Sequence, residues 1–258
     1  MKKLLIGMAA ILLGATSAYS ADLYYDPPVD PPIDPSFCAG CYLRGHLGMS
    51  NQRFKGLRQE LFSAVEIHEF LDKGGFNSAP LAGLGFGYKF NNFLRADAFV
   101  EYRGKADFSA LDRYGHTEPT GTVWDGTNDY DGAKSEWLLM ANAYVDIGEW
   151  HGVTPYVGAG IGASRNTISH FRDINVPTQG VAYADSASTW NLAWALHAGL
   201  AFKASERLTV DLGYTYVDLG DAKTGRLKSY DGTVNNAPMH FENITSHDIK
   251  LGLRFSFQ

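Results

Sequence analysis

The chain has 258 residues, 45% of them hydrophobic, with 22 Lys and Arg against 28 Asp and Glu and a formal charge of −6. This acidic balance deepens once Lys2 and Lys3 are set aside, and it argues against a nucleic-acid partner, because neutralising phosphates takes a basic surface. Beyond the first residues no uninterrupted apolar run reaches the roughly 20 residues of a membrane-crossing helix. A membrane form of this chain must therefore be a closed sheet, with no backbone left unsatisfied in lipid.

Residues 1–20 place Lys2 and Lys3 before an apolar run from Leu4 to Leu13, with Ala18 and Ser20 at the small-residue positions of a cleavage site between Ser20 and Ala21. That is the pattern of a secretory signal peptide. Residues 21–40 follow as a Pro-rich tether, since Pro27, Pro28, Pro31, Pro32 and Pro35 cannot donate to a sheet and favour extended backbone. Cys38 and Cys41 form a C-x-x-C. A redox pair wants a helix next, whereas "YLRGHLGMS" alternates as a strand, and a zinc site wants more ligands at matching spacing. The expectation is structural or incidental thiols, with a disulfide left open.

Eight segments then alternate with period two, as half-buried strands do. They fall at about 41–50, 80–90, 93–103, 136–147, 154–164, 190–202, 208–217 and 248–258. The third is the clearest: Leu94, Ala96, Ala98, Val100 and Tyr102 alternate with Arg95, Asp97, Phe99, Glu101 and Arg103. No water-soluble core is served by that second set. The connections alternate too, short near 91–92, 148–153 and 203–207, long near 51–79, 104–135, 165–189 and 218–245. Four structureless loops of such length count against a compact soluble domain, but they match a transmembrane barrel with short turns on one side and long loops on the other. Within the first long loop, "LRQELFSAVEIHEFLDK" has Leu57, Leu61, Val65 and Phe70 at helical spacing, which fits a short helix or an irregular segment there. Trp137 and Trp190 at one rim, with Tyr88, Phe90, Phe202 and Phe257 at the other, are placed as interfacial girdles.

The segments "CYLRGHLG", "LAGLGFGYKFNNFLRADAFVEYRG", "SEWLLMANAYVDIGEWHGVTPYVGAGIGASRNT", "WALHAGLAFK" and "DLGYTYVDLGDAKTG" resemble the small outer-membrane β-barrel proteins of alphaproteobacteria, within the wider opacity-type and OmpA-like barrels. Members usually end on the aromatic residue that the barrel-assembly machinery reads; here Gln258 follows Phe257, and Cys41 stands where a tryptophan commonly precedes "YLRG". The resemblance implies an outer-membrane, mostly non-enzymatic role in a Gram-negative envelope, and some relatives bind hemin.

By parity the lumen receives Arg44, Lys89, Arg95, Arg103, Lys250 and Arg254 against Asp97, Glu101, Glu136, Asp146, Asp211 and Asp248. Equal numbers of each sign predict a salt-bridged plug, because unpaired buried charge is heavily penalised; the alternative is a narrow porin-like channel lined by the same groups. A catalytic site finds no support: no His opens the H-x-S pair of a lipid A deacylase, and Ser169–His170 and Ser246–His247, being adjacent, are expected on opposite strand faces. His68, His116, His170 and His240 fall in the four long loops beside Tyr114, Tyr130, Tyr183 and Tyr230, and are candidates for a surface ligand such as hemin.

The sequence thus predicts an all-β, eight-stranded antiparallel up-and-down transmembrane barrel over 41–258, with short periplasmic turns and four long extracellular loops. The expected partners are outer-membrane lipids and lipopolysaccharide, the barrel-assembly machinery through Phe255 and Phe257, and a host or surface ligand. No cofactor or metal is expected.

Overall fold

The computed structural model describes residues 38–59, 67–232, 234–235 and 237–257. The expected signal peptide, most of the expected Pro-rich tether and Gln258 lie outside them. Among the described residues every regular element is a strand: β1 (Cys41–Arg53), β2 (Gly56–Gln59), β3 (Ile67–Phe76), β4 (Ala79–Lys89), β5 (Leu94–Glu118), β6 (Gly121–Asp146), β7 (Val153–Asn175), β8 (Gly180–Ala184), β9 (Ala187–Lys203), β10 (Leu208–Lys223), β11 (Leu227–Ser229), β12 (Val234–Asn235) and β13 (Met239–Ser256).

Eight of them close a ring. β4 pairs with β5, β5 with β6, β6 with β7, β7 with β9, β9 with β10, β10 with β13, β13 with β1 and β1 with β4, all antiparallel. The first ring strand therefore meets the last, and no edge is left open in lipid. At the lower end the links are tight. Asn91 Oδ1 accepts the amides of Phe93 and Leu94 at 2.8 Å each, and Ser205 Oγ does the same for Arg207 and Leu208. A Cys38–Cys41 disulfide closes the turn that enters β1.

At the upper end the structure departs from the expected loops. β5 and β6 have 25 and 26 residues and pair continuously up to Glu118 and Gly121. A tilted membrane strand needs only about 9–11 residues, so more than half of this hairpin stands above the bilayer. The short strands β2, β3, β8, β11 and β12 add to these extensions. The helical alternative is corrected by the same architecture: Gly56–Gln59 and Ile67–Phe76 are strands laid on β13 and β5, and residues 60–66 lie outside the described part. Local helical spacing loses here to ladder hydrogen bonds with a preformed neighbour.

The two halves have opposite polarity. Below, β5 turns Leu94, Ala98, Val100 and Tyr102 outward and buries Arg95, Asp97, Glu101 and Arg103. Above, it buries Ala106, Phe108 and Ala110, while Asp107, Ser109 and Arg113 face out. On β5 the inward set changes from odd to even numbers across a register shift between Arg103 and Ala106, whereas β6 keeps even-numbered residues inward from Leu138 through Tyr130. A β-bulge does this by inserting one residue into one strand of a pair. Comparable shifts occur between Asp131 and Ala133 and around Gly220. His170 (φ 56°), Gly220 (φ 70°) and Asn243 (φ 54°) take a left-handed backbone at the irregularities of β7, β10 and β13. A Cβ on Gly220 would meet the Asn191 side chain at 2.5 Å, so no larger residue fits that turn.

Candidate functional site

The lower interior is filled by ion pairs in tiers. Nearest the short turns, Arg254 donates Nε and Nη2 to the two oxygens of Asp211 at 2.7 and 3.0 Å. Arg95 Nε donates to Asp146 at 3.1 Å, its guanidinium lying 4.0 Å from the centroid of Tyr144 and 4.7 Å from that of Tyr156. Arg44 Nη1 donates to Asp97 at 2.6 Å and to the Tyr144 hydroxyl at 2.8 Å, and Asn142 Nδ2 gives Asp97 a further bond at 2.8 Å.

The next tier turns on Glu101, whose carboxylate lies 2.6 Å from both Lys250 Nζ and His46 Nε2 and accepts Arg103 Nε at 2.8 Å. Arg103, fully buried, also reaches Asp248 at 2.7 Å and Glu136 at 3.1 Å. Lys134 caps the stack, bonded to Gln52 at 2.7 Å and paired with Glu136. Buried charges persist only when partnered in this way, since removing one partner strands the other.

Glycine makes the tiers fit. A Cβ on Gly83 would stand 2.5 Å from the His46 ring, one on Gly87 2.2 Å from Tyr42, and one on Gly158 2.4 Å from Tyr144. The bulky polar rings lean into the space left by strands that carry no side chain there.

Two sequence expectations need adjustment. Lys89 is not in the stack; it stands exposed at the lower mouth, lining a cavity of about 490 Å³ with Asp146, Lys203 and Arg254. Lys134 takes its place, along with His46, His197, Asn142 and Gln52 as hydrogen-bonding bridges. His46, His197 and Asn142 lie on the lumen parity of their predicted strands; Lys134 was hidden because it precedes the predicted start of its strand.

Above the ions sits an apolar core. Phe54, Phe76, Phe108 and Phe241 pack ring to ring with centroids 4.9–5.9 Å apart, joined by buried Leu219, Met239 and Ile244. Tyr130, expected as a surface phenol, is completely buried and donates to Asp112 at 2.5 Å. His68 Nε2 lies 2.9 Å from the same carboxylate. Nearby, burial and then the Asp112 charge push the Asp173 carboxyl up to about 7.

The other loop histidines are dispersed. His116 is exposed, 2.7 Å from Asp125, whose hydrogen bond raises the imidazole pKa. His240 is half-buried and pairs in register with Arg58 and Lys223. Among the described residues no group of three or more His, Cys, Asp or Glu is arranged to hold a metal ion. His170 corrects the expected separation of neighbours: its left-handed backbone at the bulge brings Nδ1 to 3.1 Å from Ser169 Oγ. Ser246 and His247 do point apart, to Asp248 and Tyr214.

Phe255 and Phe257 face outward at the lower rim with rings 5.9 Å apart. With them, Leu43, Leu84, Val100, Leu139, Ile161, Leu192 and Leu251 make a continuous exposed apolar exterior. A closed antiparallel ring with this exterior and an ionic interior is an integral outer-membrane barrel. The chain belongs to the family described as the outer membrane protein beta-barrel domain, whose model matches residues 8–257.

An uncharacterized protein of Brucella abortus (strain 2308) is 28% identical over 97% of this chain and 96% of its own. A Rickettsia bellii candidate adhesin is 31% identical over 45% of this chain and 51% of its own. Among solved structures, the outer membrane protease OmpT of Escherichia coli aligns with 87% of this chain and 98% of its own, at 10% identity and a TM-score of 0.51, a likeness of fold alone. The protein resides in the outer membrane.

Proposed function

We propose that this protein is a non-conducting, non-enzymatic barrel that supports envelope integrity and holds a rigid β platform above the outer membrane for surface interaction. The reading is supported by what fills the interior, ionic tiers below and the Phe54, Phe76, Phe108 and Phe241 cluster above. A narrow barrel filled this way has no continuous water path. The tall β5–β6 hairpin gives the upper end a defined surface for a host or surface ligand, and the relation to a candidate adhesin is consistent with that role.

Outer-membrane lipids and lipopolysaccharide are the partners of the apolar belt, and the barrel-assembly machinery is the partner of Phe255 and Phe257. Catalysis is not part of the proposal, since no carboxylate forms an ion pair with His170 among the described residues and a serine nucleophile wants an oriented base. Planar-bilayer recording tests the closure. Purified protein should give no stable conductance steps, whereas steps altered by Arg95→Ala would establish the narrow-channel alternative.

A further inference from the structure

Where the ionic tiers give way to the aromatic cluster, a buried amine meets a buried amide. Lys134 on β6 is completely buried and places Nζ 2.7 Å from Gln52 Oε1 on β1. The two strands are not neighbours, since β4 and β5 stand between them in the ring. Gln52 is itself buried, and so is Glu136, whose carboxylate spans the pair. Its Oε2 holds Lys134 Nζ, and its Oε1 accepts Gln52 Nε2 at 3.4 Å.

These are the parts of an amide exchange. An amine becomes a nucleophile when an adjacent base takes its proton, and Glu136 touches the amine with one oxygen and the nitrogen that would depart with the other. Arg103 Nε lies 3.1 Å from Glu136 Oε1, and Ser50 Oγ accepts a second bond from Gln52 Nε2 at 3.2 Å, so carboxylate and amide are both held in place. The Phe76 ring stands 5.7 Å from Lys134 Nζ, and a site that shuts out water protects a reactive group from hydrolysis. Aminolysis of an unactivated amide is slow in solution, but groups fixed in attacking geometry reach effective concentrations of about 10⁵–10⁸ M. Lys250, the other lysine of the stack, meets only the carboxylates Glu101 and Asp248 and has no amide to attack.

We propose that Lys134 and Gln52 join in an isopeptide bond, with Glu136 as the proton carrier. Glu136 takes a proton from the Lys134 ammonium, and the freed Nζ attacks Gln52 Cδ. As the Cδ–Nε2 bond breaks, Glu136 hands that proton to Nε2 and ammonia leaves; the carboxylate then takes the second proton from the new amide nitrogen. No oxidant or reductant is needed. The stack loses one charge of each sign, so its balance holds. The bond ties β1 to β6 across the lumen and closes the chain from residue 52 to residue 134 into a loop, locking the narrow interior covalently as well as by packing.

The test is the intact mass of the full mature chain, extracted folded from membranes and checked by heat-modifiable gel mobility. The wild type should be lighter than its disulfide-bonded sequence by the mass of one ammonia, and digestion followed by fragmentation should find the Gln52 peptide joined to the Lys134 peptide. Lys134→Arg, which keeps the charge but not the nucleophile, and Gln52→Met should both carry their full sequence mass. Glu136→Ala should do so as well, although both reacting groups remain. A folded wild type at full mass, with Gln52 and Lys134 recovered in separate peptides, overturns the proposal, and ammonia loss in folded Glu136→Ala overturns the role of the carboxylate. The wild-type measurement decides the bond whether or not each variant folds. Failure of the wild type to show heat-modifiable mobility would instead contradict the barrel reading itself.

Discussion

Arg103 and Phe108 lie on one strand an odd number of positions apart, yet both point into the barrel and both are buried. In a regular strand such residues face opposite sides. The shift between Arg103 and Ala106 reconciles them and serves a physical end. Below it the outside is hydrocarbon and the inside can hold paired ions; above it the outside is water and the inside must be apolar. The strand changes parity where its solvent changes.

Asn243 sets the same crossover on β13 with φ 54°, and its amide donates to Asp221 Oδ1 at 2.7 Å. A β-branched residue is strained there, at a cost of about 1–2 kcal/mol, while glycine is not. Asn243→Val should lower the thermal stability of the folded barrel, and Asn243→Gly should leave it nearly unchanged, as read by the temperature at which gel mobility shifts.

Phe241 is completely buried at the centre of the aromatic cluster. Its replacement by alanine removes a large core ring and leaves a cavity, costing about 3–5 kcal/mol. Hydrogen exchange should show the loss in the upper ladder of β5 and β6. Amides flanking Leu94–Tyr102 should keep their protection, because the membrane-embedded ring closes independently of that cluster.

Much of this was legible in the lower half of the chain. Leu94–Arg103 alternates without interruption, and the ionic partners of Arg44, Arg95, Glu101 and Arg254 all lie on the parity predicted for the lumen. The upper half was read as loops because its alternation restarts out of phase: Ala106, Phe108, Ala110 and Asp112 are the inward set, after Arg103. A one-residue insertion erases a period-two signal across it, so the strands seem to end at the bulge. The helix considered around 57–73 failed for a related reason, since pairing of Ile67–Phe76 with β5 is a tertiary contact that spacing cannot reveal. Lys134 was missed just beyond such a boundary.

Arg103 has three carboxylate partners and no exposure. Arg103→Met leaves Glu101, Glu136 and Asp248 with too little positive charge, and breaking a buried pair from one side costs about 3–5 kcal/mol. The variant should unfold at clearly lower urea concentration in micelles. Combining it with Glu136→Gln and Asp248→Asn should recover a good part of the loss, because fewer charges are then left stranded.

Asp173, outside the membrane, has its pKa pushed up to about 7 from an ordinary 3.8, by burial first and the Asp112 charge second. Its folded state therefore binds a proton more readily than the unfolded one. The resulting stabilisation is complete below about pH 4 and is lost as pH rises through 7. Protection factors of amides around Tyr130, taken against the intrinsic exchange rate at each pH, should be larger at pH 5 than at pH 8, and Asp173→Asn should flatten that dependence while protecting the region at pH 8. A steeper dependence in the variant would refute the assignment.

The most direct test is a single-cysteine spin-label scan of β5 from Leu94 to Arg113 in lipid bilayers, in a chain with Cys38 and Cys41 replaced. Labels at 94, 98, 100 and 102 should be open to a lipid-soluble relaxing agent, and labels at 107, 109 and 113 to a water-soluble one. Positions 101, 103, 106, 108 and 110 should be shielded from both. If accessibility keeps the phase of Leu94–Tyr102 past Arg103, or if the upper outward positions meet lipid, the polarity inversion at the bulge is wrong.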